Sequence, residues 1–253
     1  MFTPFIIMDN NETIDISIVI PVRNEEGYLP ACLDAIFCQT TKKHIEVIVV
    51  DNGSTDGSQE IAHKKGVKVI VELQKGVGPA RRTGTAAARG AYILQIDADT
   101  RLPKDYIEQA FFRFSQDKEL ACLGGQMYWY DASRFANGVR RVLYVLFTPI
   151  VRLISRGALG PMGNNMMFSR DIYEKCAGFD PGLKFGEDAD LTRQLHRYGK
   201  VCLDLTLLCN TSSRRFHLDR DFFIYCLNVF RICLGFKPLR NDLPSFSNST
   251  IDK

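Results

Sequence analysis

"LQIDADTR", residues 94–101, sets two aspartates at the end of what reads as a buried strand. Leu94 and Ile96 are core residues, and Ala98 alone separates Asp97 from Asp99. Two like charges this close to a core are costly unless something positive lies beside them. Carboxylates one residue apart at a strand end suit a divalent cation such as Mg²⁺ or Mn²⁺. Such an ion keeps open positions for water and for substrate phosphates.

The surrounding pattern gives the strand its place. "ISIVIPVRNEE" is a β-branched run closed by Pro21, "IEVIVVDNGSTDGS" stops at Asp51 in a turn-rich loop, and "VKVIVEL" follows as a third strand. Between them, "GYLPACLDAIFCQT" has helical spacing and "SQEIAHKKG" makes a short helix closed by Gly66. "GPARRTGTAAARG" is an alanine-rich helix that leads into "AYILQIDADT", and "PKDYIEQAFFRF" predicts another helix. Strands alternating with helices at these lengths predict an α/β fold, a doubly wound, mainly parallel sheet with helices on both faces. Ligands in such sheets collect at the carboxyl ends of the strands. Asp51, the Asp97/Asp99 pair, and Arg23-Asn24-Glu25 all fall on that rim.

Composition bounds the reading. The 253 residues are 45% hydrophobic and 24% charged, enough for one large α/β domain. A net charge of +3 with no basic-aromatic motif gives no case for nucleic-acid binding. The eight cysteines include no C-x-x-C pair, which predicts free thiols in a reducing compartment. The start has no basic n-region, and no run approaches the ~20 apolar residues that span a bilayer. A cytoplasmic location is expected.

Six elements, in order, carry a family resemblance: "IPVRNEE", "VVDNGSTDGS", "GPARRTG", "IDADT", "GNNMMFSRDIYEKCAGFD" and "GEDADLTRQLHRYG". From about Ile16 to Arg215 the chain resembles the family 2 inverting glycosyltransferases, which have the GT-A fold. The resemblance implies a 14–218 GT-A domain, with a nucleotide-binding half at 14–125 and an acceptor half at 126–218. Residues 1–13 would be a tail, and 219–253 an amphipathic segment and tail. Arg82 departs from the family, which often has Asn at that place.

Carried over by position, the resemblance puts Pro21, Arg23 and Glu25 around the nucleotide base and gives Asp51 hydrogen bonds from it. Lys75 and Arg81 lie near the nucleotide or its diphosphate. Asp97 faces the ribose and the metal shell, Asp99 binds the divalent metal, and Asp188 matches the general base. Glu187 is either a supporting, sugar-contacting group or a carboxylate satisfying helix amides. Gly163, Asn164 and Asn165 suit hydrogen bonding to sugar hydroxyls. In "SSRRFH", Arg215 is expected to clamp the leaving diphosphate and His217 to add a metal ligand. The implied partners are a nucleotide-sugar donor, UDP-sugar ahead of GDP-mannose, and an acceptor hydroxyl.

The mechanism needs acid groups on opposite sides of the sugar. The leaving diphosphate develops negative charge that a metal neutralises, while a carboxylate on the other face takes the acceptor's proton. Asp97/Asp99 and the distant Glu187/Asp188 meet that need. A sugar nucleotidyltransferase would want a glycine-rich signature where Arg23-Asn24-Glu25-Glu26 stands. "GVGPAR" lacks the third glycine of a dinucleotide fingerprint, and no G-x-S-x-G occurs. An inactive nucleotide-sugar-binding protein is the non-enzyme alternative, and the intact acidic set argues against it.

Residues 139–154 and 222–240 are apolar and aromatic with interspersed basic residues. They suit either mutual packing or helices lying in a membrane interface. The second case implies a lipid-linked or amphiphilic acceptor at the cytoplasmic face of a membrane.

Overall fold

A computed structural model describes residues 13–183 and 185–214, together with 224, 227, 228, 231, 232, 234 and 236. The β-branched runs become strands β1 (Ile16–Val22), β2 (Ile45–Asp51) and β3 (Lys68–Val71), with β4 at Tyr92–Ile96. The first two are buried on both faces almost throughout, as continuous apolar strands of a parallel sheet are. β5 (Leu120–Trp129), β6 (Asn165–Ser169) and β7 (Lys200–Thr211) complete one seven-stranded sheet of order β3-β2-β1-β4-β6-β5-β7. β1 runs parallel to β2 and to β4, and β6 is antiparallel to both of its neighbours.

The chain builds outward from β1 to β3, then returns to set β4 on the other side of β1. Two loops therefore leave the β1 and β4 ends in opposite directions and open a crevice between them. The predicted doubly wound sheet is what is observed, and its switch point falls at "PVRNEE" and "IDADT".

Helices cover both faces because adjacent strand residues point to opposite sides. Ile18 and Ile20 join the core under α1 (Leu29–Phe37), α2 (Ser58–Lys64) and α4 (Tyr106–Gln116). Val19 points into the second core, under α3 (Val77–Ala86) and α7 (Glu187–His196). Gly84 lets α3 approach closely: a Cβ there would come 2.3 Å from Val19 Cγ1.

α5 (Arg134–Ile154) is different. Ser133 Oγ caps its start by accepting from Ala136 N–H at 3.1 Å. Along its 21 residues only Asn137 and Arg140 are buried. Phe135, Val142, Leu146, Phe147, Ile150 and Leu153 are exposed. The 139–154 stretch is thus an apolar helix face turned to solvent, except where Val151 packs on Leu159 and Ile232. Most of the 222–240 segment lies outside the described residues, but Ile232 is buried in that small cluster. α6 (Arg170–Tyr173) is a single turn after β6. Among the described residues no helix is long and apolar enough to cross a membrane.

Candidate active site

The rim is laced together by side chains from β1 and β2. Asn24 takes φ +55°, donates its N–H to Ser54 Oγ, and accepts Thr55 N–H at 2.8 Å. Glu25, 6% exposed, donates its N–H to Ser58 Oγ at 2.8 Å. Asp51 is fully buried at the end of β2, where its Oδ2 accepts from Gly53 N, Ser54 N and Gln59 Nε2. Its Oδ1 has no hydrogen-bond partner. The turn-forming role of Asp51 therefore occupies one oxygen and leaves the other available. Pro21 is partly buried on β1, while Arg23 and Lys75 are exposed.

Each aspartate at the end of β4 has its own arginine, which answers the charge problem posed by "IDADTR". Arg81 Nη2 donates to Asp97 Oδ1 at 2.9 Å. Arg214 Nε donates to Asp99 Oδ2 at 3.0 Å, and Thr211 Oγ1 donates to Asp99 Oδ1 at 3.2 Å. Arg214 Nη2 also bonds both oxygens of Glu25, at 2.6 and 2.7 Å. Its guanidinium lies 4.0 Å from the centre of the Tyr28 ring. Two carboxylates hold this arginine charged, raising its pKa against the opposing effect of burial.

Arg81 also connects the two halves of the site. Its Nε lies 3.8 Å from Glu187 Oε1, close enough for charge attraction but too long for a hydrogen bond. Gly163 makes the space for it, since a Cβ at that position would fall 1.4 Å from Arg81 Nη1. Gly163 N–H in turn donates to Asp188 Oδ2 at 2.9 Å, and Ala189 N–H donates to Asp188 Oδ1 at 2.7 Å. Two backbone amides fix the Asp188 carboxylate, and each oxygen keeps a lone pair.

Glu187 is 7% exposed. Burial and the neighbouring Asp188 push its pKa up to about 7, with Arg81 pulling the other way. Asn165 Oδ1 accepts the Tyr106 hydroxyl, while Asn165 Nδ2 and Asn164 Oδ1 are covered and unpartnered. Gly163, Asn164, Asn165, Glu187 and Asp188 thus gather next to Arg81 and Asp97. Arg82, the departure from the family, donates Nη1 to Phe179 O instead.

Among the described residues no cluster of three or more His, Cys, Asp or Glu side chains forms a metal cage. Asp97 and Asp99 nevertheless fit a hard divalent cation, which takes one or two carboxylates and completes its shell with water and substrate phosphates. Arg214 already shows that the Asp99 carboxylate is a place for positive charge. Arg215 and His217 lie outside the described residues. Arg214 is the residue that sequence reasoning missed. Its sequence signal is the adjacent pair in "SSRRFH", which does not say which arginine reaches Asp99.

The sequence model described as "Glycosyl transferase family 2" matches residues 17–177, more than half of the chain. The chain belongs to that family. A curated family relative, the chondroitin synthase of Escherichia coli, is 26% identical over 236 residues. The match takes in 88% of this chain and 33% of the synthase, so the chain spans about a third of that relative. Among solved structures, TarS residues 1–349 of S. aureus in complex with UDP superposes with a TM-score of 0.64 at 18% identity. That match covers 90% of this chain and 68% of the other. The mannosyltransferase PcManGT of Pyrobaculum calidifontis, in complex with GDP-Man and Mn²⁺, gives a TM-score of 0.65 at 18% identity, covering 88% and 61%. These glycosyltransferases share the GT-A architecture with the present sheet.

Proposed function

We propose that the protein is an inverting glycosyltransferase that moves a sugar from a nucleotide-sugar donor to an acceptor hydroxyl. The supporting observation is Arg81, which ties Asp97, just past the end of β4, to Glu187 at the start of α7. Donor-side carboxylates and a candidate base from a distant segment thereby meet in one crevice.

On the donor side, Pro21, Arg23, Glu25 and Asp51 bound the base pocket, with the unpartnered Oδ1 of Asp51 facing a donor group of the base. Asp97 takes the ribose side. Lys75, Arg81 and Arg214 supply positive charge near the diphosphate, with Arg215, outside the described residues, as a clamp on it and His217 as a further metal ligand. Asp99, with Asp97, would hold a divalent cation, which when bound supplies Lewis-acid stabilisation of the leaving diphosphate. On the acceptor side Asp188 takes the proton of the attacking hydroxyl. Burial and the neighbouring Asp188 raise the pKa of Glu187 to about 7, so Glu187, beside the candidate base, holds a proton more readily than an ordinary glutamate. Asn164 and Asn165 have free polar atoms for sugar hydroxyls.

UDP-sugar and GDP-mannose are the two donors favoured. The exposed apolar face of α5, a helix that carries exposed Arg134, Arg141 and Arg152 and no acidic residue, suits an anionic membrane surface. It supports an amphiphilic or lipid-linked acceptor at the cytoplasmic face. A donor screen tests the reading: nucleotide release from UDP- and GDP-sugars, with and without Mn²⁺ or Mg²⁺. Metal-dependent release from one donor class supports it. A folded protein that binds no sugar nucleotide overturns it.

A further inference from the structure

An arginine that meets no anion among the described residues lies buried on the acceptor side of the crevice. Arg140, in the first half of α5, is 7% exposed. Its one hydrogen bond is long, Nη2 to Asn137 Oδ1 at 3.4 Å, while Nε and Nη1 are covered and have no partner. Among the described residues no carboxylate contributes to its electrostatic surroundings, and burial lowers its pKa from the usual arginine value. Arg81, the other fully buried arginine among the described residues, faces two carboxylates. An unpaired buried cation weakens a fold, and an anion arriving from outside would satisfy it.

The surroundings say what that partner meets. The Arg140 guanidinium lies 5.3 Å from the Trp129 ring centre and 5.5 Å from that of Tyr144. Both rings are half-buried. The Tyr144 hydroxyl reaches Met162 Sδ at 3.9 Å, and Met162 precedes the glycine whose N–H holds Asp188. Cys209 lies within electrostatic reach of Arg140 on one side and of Asp97 and Asp99 on the other. Through Tyr144, Met162 and Gly163, Arg140 is thus linked to the segment that holds Asp188.

We propose that Arg140, flanked by Trp129 and Tyr144, binds an oxyanion, phosphate or carboxylate, carried by the acceptor. The inference rests on the glycosyltransferase reading and names the acceptor class. A guanidinium meets two oxygens of such a group with parallel hydrogen bonds, which a lysine ammonium does not reproduce. A neutral acceptor would leave the cation unpaired and is disfavoured on that ground.

Trp129 is the single tryptophan of the chain and so reports on this subsite. Inorganic phosphate is titrated into the full chain at constant ionic strength while tryptophan emission is read. The wild type is expected to give a saturable change. Arg140→Met should lose it, and Arg140→Lys should need about tenfold more phosphate. Without phosphate, Arg140→Met should melt no lower than the wild type, because it removes an unpaired buried charge. Phosphatidic acid vesicles form a second arm. Response at lower phosphate concentration than with the free ion assigns the subsite to a lipid headgroup, and equal response to a soluble acceptor. No saturable change, the same change in Arg140→Met, or a drop of several degrees in its Tm overturns the proposal. Binding of UDP or GDP with Mn²⁺ to the wild type is measured alongside. Its absence counts against the glycosyltransferase reading, whatever the phosphate arm gives.

Discussion

Arg214 and Asp99 share a hydrogen bond of 3.0 Å, although 115 residues of sequence separate them. The same guanidinium reaches both oxygens of Glu25, so the end of β7 is tied to the ends of β1 and β4 by one side chain. Arg214→Ala would leave two buried carboxylates without their cation. It should destabilise the fold by roughly 2 kcal/mol and raise the donor KM about tenfold or more. Arg214→Lys should restore only part of either, since it cannot bridge in the same fork. Urea unfolding and donor titration check both. An unchanged KM in Arg214→Ala would remove this residue from the donor site.

Asp99 is the test of the metal. Asp99→Asn should abolish transfer and weaken sugar-nucleotide binding while the protein stays folded. Excess EDTA should silence the wild type, and added Mn²⁺ or Mg²⁺ should restore it. Full activity in EDTA would sink the metal assignment.

Gly163 and Arg81 compete for the same space. Gly163→Ala pushes a methyl group into the position of Arg81 Nη1 and should lower turnover about as much as Arg81→Ala does. The double variant should be no worse than either single one, because both act by removing the same guanidinium. Additive losses in kcat/KM would show that Gly163 acts by another route.

Glu187 sets a pH signature. Its pKa rises from an ordinary 4.5 to about 7 on folding, so the native state binds its proton more tightly than the unfolded chain. Stability from this group is present below about pH 4.5 and is lost as pH climbs through about 7. Glu187→Gln removes that loss. Its Tm advantage over the wild type should be near zero at acid pH and grow to a plateau above neutrality. A constant offset between the two melting curves from pH 4 to pH 8 would contradict the raised pKa.

The apolar face of α5 makes a prediction about membranes. The wild type should co-sediment with anionic vesicles at low salt, and Leu146→Asp with Phe147→Asp should abolish the binding. Retention of binding in that double variant would move the contact elsewhere on the molecule.

Much of this was legible in the sequence because local chemistry dictated it. β-branched runs ending at Pro21 and Asp51, and a third ending at Asp97, could only be parallel strands feeding one rim. The order β3-β2-β1-β4 is read from the structure. What the sequence concealed were contacts between distant segments. Nothing local distinguishes Arg214 from Arg215, and only the direction in which β7 delivers its last residues sends Arg214 to Asp99. The need for Gly163 is equally nonlocal, since it comes from the arginine lying over it. The 139–154 stretch read equally well as core or as interface. Among the described residues α5 buries only Asn137 and Arg140 and leaves its apolar side exposed.

The central claim is that Asp188 activates an attacking oxygen on the face of the sugar opposite the leaving diphosphate. Water serves as a surrogate acceptor, so the donor found by screening is hydrolysed in the NMR tube and the first-formed anomer is observed before it equilibrates. The account predicts a free sugar of inverted anomeric configuration, formed roughly 10²–10⁴-fold more slowly by Asp188→Asn with donor binding intact. A retained configuration, or near-normal turnover in Asp188→Asn, would contradict it.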